Sequence, residues 1–362
     1  MLLTLSTAAV GLVVRPATLP SATAPSRLCG VRATAASTET PLASLRDLAD
    51  QYDAFLLDQF GVIHDGKTAY EGAVDAVSEL QRLKKKIVII SNSSRRKSDT
   101  LARLRSMGFG PLEDDAETSD LPPISVVTSG DLVWEGLSAA AAPPFGDLGL
   151  RCTVFGNGDD DEEYVRTCGR VAVPIEEADF ILARGLFTMF GTGPDLLRNP
   201  FSDYSPEAEE ACLRAALARK PGGLPLLVAN PDTVRPDGKD SPMPGLLAAR
   251  YAAMGATDIR LVGKPHPLIY EACRAQLVSA GLPPGEARVA AVGDSLHHDV
   301  LGAAANELDS IFICGGVHYR ELDVPQAAAV PPKADALRAL LDGFAAEHDG
   351  CAPTHSLAGF RL

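Results

Sequence analysis

The chain has no Cys-x-x-Cys pair, no surplus of basic residues and no apolar run of transmembrane length. Each absence weighs against a class of function. The 7 cysteines, at positions 29, 152, 168, 212, 273, 314 and 351, are scattered and odd in number. That pattern argues against a zinc framework or a disulfide scaffold and leaves reduced thiols. A net charge of −14 argues against nucleic acid and anionic membrane surfaces as partners. No segment is long and apolar enough to span a bilayer. Aromatic residues are few, at 6 %, but apolar residues reach 46 % of 362 positions. A chain of that size buries a large core, expected in two domains.

Acidic residues are missing from the start of the chain. The first is Glu39, and Met1 to Val14 carries no charged side chain at all. Ala, Ser and Thr dominate residues 1–40, with Arg15, Arg27 and Arg32. A basic, acid-poor segment of this kind reads as an organelle-targeting presequence, plastid ahead of mitochondrion. A secretory signal lacks its basic start here, and a plain disordered tail is the bland alternative.

What is present is a series of apolar strands, each delivering polar residues at its end. Ala54 to Leu57 reads as a buried strand that ends in Asp58, Gln59, Phe60 and then Gly61. Open α/β sheets place their chemistry outside the carboxyl ends of such strands. A strand-ending Asp that only caps a turn is the competing reading. A helical pattern over Gly72 to Lys85 leads to a second strand, Ile87 to Ile90, which ends in Ser91, Asn92, Ser93 and Ser94. Small hydroxyl and amide groups opening a helix form an anion cradle, although Ser93 or Ser94 capping the helix explains the same residues. A helix over Ser98 to Met107 and a strand over Ile124 to Val127 complete a strand–helix–strand–helix–strand unit, the start of a doubly wound parallel sheet.

Residues 131–256 read as a separate α/β unit, with strands at Cys152 to Phe155, Phe180 to Ala183 and Leu226 to Ala229. Its acidic run, Asp159 to Glu163, is a solvated loop or helix start, with calcium as the minor alternative. Asn230, Pro231 and Asp232 suit turn chemistry, and Asp232 equally suits contact with a substrate. Downstream, a strand over Asp258 to Val262 ends in Gly263 and Lys264, placing a cation to reach a phosphate. A solvated Lys is the commoner fate. The strand Ala287 to Val292 ends in Asp294, with Asp299 five residues on. Two carboxylates at a strand-to-helix junction suit Mg²⁺, a hard cation with oxygen ligands. His297 and His298 beside them hint at a transition metal, or are residues of the helix start facing solvent or supporting the site.

Asp58, Ser91, Lys264 and Asp294 with Asp299, in this order and each after an apolar strand, form a pattern that resembles the haloacid-dehalogenase superfamily of Asp-nucleophile phosphohydrolases. The long insertion between Ser91 and Lys264, with Asn230-Pro231-Asp232, Gly263-Lys264-Pro265 and Gly293-Asp294-Ser295, resembles its class IIA subgroup. The resemblance covers roughly Ala54 to Gly316 and implies a Rossmann-like core at 41–130 and 257–349, an inserted α/β cap at 131–256, and a tail at 350–362. It further implies Asp58 as nucleophile, Ser91 and Lys264 on the phosphoryl oxygens, and Asn92 and Asp232 toward the substrate. Mg²⁺ would be held by Asp58, the Phe60 carbonyl and Asp294, with Asp299 orienting Lys264. The implied substrate is a small phosphorylated metabolite, and self-association through the cap is the protein partnership considered.

The sequence departs from the family at Phe60, where a second Asp usually acts as general acid and base. Phe60 transfers no proton, and His64 and Asp65 are the nearest substitutes, His64 being the candidate. A catalytically weak protein that binds a phosphorylated ligand or a partner is therefore the alternative to a phosphatase.

Overall fold

The structure is a computed structural model describing residues 45–115, 119–139, 143–158, 160–191, 201–235, 241–283, 285 and 287–362. The presequence expectation for residues 1–40, Cys29, Asp159 and the Asp-Gly turn at 237–238 lie outside the described residues.

Among the described residues thirteen strands form two sheets. In chain order they are β1 (Ala54–Leu57), β2 (Lys86–Ser91), β3 (Ile124–Thr128), β4 (Arg151–Gly156), β5 (Val171–Ala172), β6 (Phe180–Ala183), β7 (Thr188–Phe190), β8 (Phe201–Asp203), β9 (Leu226–Val228), β10 (Ile259–Leu261), β11 (Val289–Gly293), β12 (Asp309–Ile313) and β13 (His355–Leu357).

The first sheet runs β13-β12-β11-β1-β2-β3, all parallel. Its strands are almost wholly apolar because helices cover both faces. Phe55 and Leu57 point to one face, under the helices Ala73–Arg82 and Lys97–Ser106. Ala54 and Leu56 point to the other, under the helix Pro267–Ser279. The chain winds from β1 out to β3, leaves for the second sheet, and returns on the other side of β1 as β11. The order therefore reverses between β1 and β11, which is where such sheets bind ligands.

The second sheet runs β10-β9-β6-β4-β7-β8, with β5 also on β4. Strands β4, β6, β9 and β10 are parallel, and β7 and β8 continue antiparallel. Phe155, Ile181 and Val228 pack on one face; Val154, Leu182 and Leu227 pack on the other against Val133 and Leu137. Those last two belong to the helix Ser129–Ser138, which starts directly after β3 and is capped by the Thr128 hydroxyl accepting from Asp131 N at 3.1 Å.

Two sequence expectations change. The strand before Lys264, taken as part of the core from residue 257, is β10 and pairs with β9 of the second sheet. Its Arg260 ion-pairs with both Asp258 and Asp147. The segment 350–362, read as a tail, supplies β13, with Leu357 fully buried and Ala358 and Phe360 nearly so. Three residues are too short for a period-2 pattern to register. Among the described residues no helix is long and apolar enough to cross a membrane.

Candidate active site

Both sheets bring the carboxyl ends of their parallel strands to one cleft. From the first come Asp58 after β1, Ser91 at the end of β2 and Asp294 after β11. From the second come Asn157 after β4, Arg184 after β6, Asn230 and Asp232 after β9, and Lys264 after β10. Register fixes the core residues. Leu57 pairs with Val292 and with Ile89, so Asp58 lies one position short of Asp294, and Ser91 lies level with Gln59.

Lys264 closes the arrangement. It is 3 % exposed, and its Nζ lies 2.8 Å from Asp58 Oδ1 and 2.7 Å from Asp299 Oδ1. A buried ammonium is stable only when paired. Burial works against its charge, but Asp299 and Asp58 outweigh it and hold the group well above the usual lysine range. Asp299 is fixed in turn by the Ser295 N–H, which donates to Oδ2 at 3.0 Å. It also packs against Gly293, where a Cβ would fall 1.9 Å from Asp299 Cγ.

Asp294 sits in a cradle only glycine allows. A Cβ on Gly61 would meet Asp294 Oδ2 at 1.8 Å, and one on Gly316 would meet Asp294 Cβ at 2.1 Å. Gly61 also has φ +78°, a left-handed conformation that side chains disfavour. The Val317 N–H donates to Asp294 Oδ2 at 2.7 Å.

Carboxylate oxygens of Asp58, Asp294 and Asp299 lie within 4.8 Å of one another. Burial raises Asp58 to about 7; Lys264 opposes that rise and Asp299 adds to it. Burial, then the charges of Asp58 and Asp299, push Asp294 well above the carboxylate range. Three carboxylates, two buried and Asp58 half-buried, thus face one ammonium. With Asp299 committed to Lys264, Asp58 and Asp294 are the oxygen donors left for a hard cation.

Asn92 takes a different part from the substrate contact expected of it. Its Oδ1 accepts from Lys264 N at 2.7 Å, and its Nδ2 donates to Lys264 O at 3.2 Å and to Asp232 Oδ1 at 2.8 Å. The amide is spent on holding Lys264 and Asp232 in place. Ser91 is 4 % exposed, and its Oγ accepts from Ser93 N at 3.2 Å.

His64 lies in the turn after β1 and is fully buried. The Gly66 N–H donates to its Nδ1 at 3.0 Å, Nε2 is 3.3 Å from Gln59 Oε1, and its ring meets the Phe60 ring edge-on with centroids 5.0 Å apart. Burial, reinforced by the Arg103 charge, holds it down to about 4. It is a neutral turn residue and not the general acid considered for it. Asp65 is likewise consumed by its own turn, accepting from Lys67 N, Thr68 N and the Thr68 hydroxyl. His297 packs against Phe344 and His348, away from the carboxylates. Among the described residues no histidine joins a metal-type cluster.

The sequence reading missed Arg184. Its guanidinium is fully buried, pairs with Asp161 at 2.6 Å and Asp160 at 2.7 Å, and stacks 3.6 Å over the Tyr164 ring. Those two acids are thereby committed to one buried cation. Arg184 also reaches Ser94 O at 3.4 Å, and Asn157 Nδ2 donates to Ser94 Oγ at 2.9 Å. Nothing in a lone Arg-Gly step marks it beforehand.

Comparison with known proteins agrees with this geometry. Residues 55–170 match the family described as haloacid dehalogenase-like hydrolase, and residues 261–339 match a HAD-hydrolase-like family. The chain is 27 % identical to D-glycerol 3-phosphate phosphatase of Mycobacterium tuberculosis over 278 residues, 76 % of this chain and 66 % of that one. It is 28 % identical to human chronophin over 284 residues, 77 % of this chain and 86 % of that one. A haloacid dehalogenase-like hydrolase from Brucella suis superposes with TM-score 0.63 at 26 % identity, over 88 % of this chain and 98 % of that one. The p-nitrophenyl phosphatase from Archaeoglobus fulgidus gives TM-score 0.55 at 25 % identity, over 85 % of this chain and 96 % of that one. The first match runs from β1 through β4, the second covers β11 and β12, and the chain belongs to the haloacid dehalogenase-like hydrolases, in their class IIA arrangement.

Proposed function

We propose that this chain is a Mg²⁺-dependent phosphatase that hydrolyses a small phosphate monoester through an aspartyl-phosphate on Asp58. The observation that carries the reading is the buried Asp58–Lys264–Asp299 chain beside Asp294 at the point where the sheet order reverses. The names of the relatives, D-glycerol 3-phosphate phosphatase and p-nitrophenyl phosphatase, support a phosphate monoester as the substrate class.

Asp58, Asp294 and the main-chain carbonyl of Phe60 would hold the cation. Bound there, Mg²⁺ supplies charge that lets an anionic nucleophile approach an anionic phosphoryl group. Asp58 Oδ1 attacks phosphorus as the bond to the leaving oxygen breaks, and water then cleaves the acyl phosphate. Lys264 and Ser91 hold the phosphoryl oxygens as charge moves toward the leaving group. Asp299 keeps the Lys264 ammonium in place and charged. Burial of all these groups strengthens each interaction.

Phosphate release over a panel of phosphorylated metabolites, with Mg²⁺, tests the reading. Turnover is expected, and Asp58→Asn, which retains the shape but loses the nucleophile, is expected to abolish it. A second reading, a ligand-binding protein with little turnover, draws on Phe60 and the neutral His64. Folded protein that gains thermal stability from Mg²⁺ and phosphate but releases none from any ester would select it. We further propose that residues 1–40 direct the chain to an organelle, plastid before mitochondrion. A fluorescent reporter carrying these residues that stays in the cytosol would refute this.

A further inference from the structure

Breaking an alkyl phosphate ester leaves a strongly basic alkoxide, which needs a proton as the P–O bond lengthens. Phe60 has none to give. Both ring nitrogens of His64 are engaged in a buried turn. Asp65 is an exposed carboxylate pulled below its usual range by the Thr68 and Lys67 N–H groups. Lys264 and Asp299 are committed to each other. One titratable pair at the junction of the two sheets is left without a part: Asp232, from the loop after β9, and His298, from the turn Leu296–Val300 after β11.

Their geometry is that of an oriented acid. His298 Nδ1 lies 3.3 Å from Asp232 Oδ1 and 3.3 Å from Ser295 Oγ. A carboxylate and a hydroxyl beside one imidazole nitrogen orient the ring. That other nitrogen, Nε2, has no protein hydrogen-bond partner among the described residues. The two side chains are 24 % and 25 % exposed, open enough to meet a ligand. Asp232 is tied through Asn92 to Lys264, and Lys264 touches Asp58. Nucleophile and pair are therefore held on one frame. His266 and His297 are the other titratable groups facing His298.

We propose that His298, oriented by Asp232, is the general acid of this phosphatase, in place of the carboxylate that Phe60 replaces. The inference rests on the phosphatase reading above. In the first step Asp58 Oδ1 bonds to phosphorus, the P–O bond to the leaving group breaks with its electron pair on that oxygen, and the oxygen takes the proton from His298 Nε2. In the second, water attacks phosphorus, gives its proton to Nε2, and the Asp58 carboxylate and phosphate are released. His298 ends as it began.

The test compares phenyl phosphate with 4-nitrophenyl phosphate, esters of similar shape whose leaving oxygens differ mainly in basicity. The full protein is assayed with Mg²⁺ as wild type, His298→Gln and Asp232→Asn. His298→Gln should lower kcat/KM for phenyl phosphate about 10²-fold. Its loss on 4-nitrophenyl phosphate should be several-fold smaller, because that phenolate departs with less help. Asp232→Asn should show the same sign at smaller size. Phe60→Asp placed in His298→Gln should recover part of the phenyl phosphate rate. Equal losses on the two esters would mean a structural part for His298 and would overturn the proposal, as would no loss on either. If the wild type turns over neither ester, the phosphatase reading fails first and this one falls with it.

Discussion

His64 shows how one buried residue sets a pH dependence. Its imidazole is fully buried, and burial together with Arg103 holds it near 4. The unfolded chain has an ordinary histidine, near 6.5. Between those values the unfolded state binds the proton and the folded state does not, so stability rises with pH across the window. Its contribution is full above about pH 6.5 and is lost as pH falls toward 4, at a cost of order 3 kcal/mol. Asp58 and Asp294 act oppositely in metal-free protein, because their folded values are raised and they gain stability as they protonate. A pair of variants separates the effects. The fall in urea midpoint between pH 7.5 and pH 5 should be smaller in His64→Gln than in wild type, both without metal. An equal fall would show that the ring titrates freely. At this scale the sequence was most legible where chemistry and position coincide. Asp58, Ser91 and Asp294 each end a buried strand of the core, and the structure places them together. Asn92 and His64 were legible as site neighbours but not in their parts, because a side-chain amide or imidazole looks the same whether it meets a substrate or a backbone.

Elements follow the same division. The strand Phe180–Ala183 ends where the sequence pattern ends, since a short apolar run bounded by polar residues marks it. Strands β7, β8 and β13 are three residues each, and β10 could be assigned a sheet only once its partner was known. β13 has the largest consequence. It closes the edge of the core sheet: Cys314 N donates to Leu357 O at 2.9 Å, and Leu45 N donates to Arg361 O at 2.7 Å. Leu357 and Phe360 pack into the same cluster as Phe55 and Ile311. Burying each such side chain contributes roughly 1.5–3 kcal/mol, against a typical total of about 5–15 kcal/mol. Chain ended after Asp349 should therefore melt lower by on the order of 10 °C, read by differential scanning fluorimetry. An unchanged melting temperature would make the segment the tail its composition suggests.

For the whole molecule, the second sheet is bound to the first through polar contacts at the cleft itself. Ser129 Oγ donates to Ala229 O at 2.6 Å, Tyr164 Oη donates to Gly130 O at 2.5 Å, and Asn157 and Arg184 both reach Ser94. Gly130 permits this approach: a Cβ there would lie 2.1 Å from Ser94 O. Since Lys264 itself follows a strand of the second sheet, displacing that sheet would carry the cation away from Asp58. The site is complete only when both sheets are docked, so the joint should not open before the sheets melt. The single tryptophan reports on that joint. Trp134 lies on the helix Ser129–Ser138, with the Arg96 guanidinium 3.6 Å over its ring and its Nε1 donating to Thr167 Oγ1 of the second sheet's helix at 2.9 Å. Undocking would part the ring from one partner or the other, since Arg96 follows a strand of the first sheet and Thr167 a strand of the second. Under urea, Trp134 emission and far-ultraviolet circular dichroism should therefore change in one coincident transition, the test of a single cooperative unit. Emission that shifts at lower urea than the dichroism would mean that the second sheet leaves first. The contacts at Ser94 and Ala229 would then be too weak to hold Lys264 on Asp58 without a substrate between the sheets.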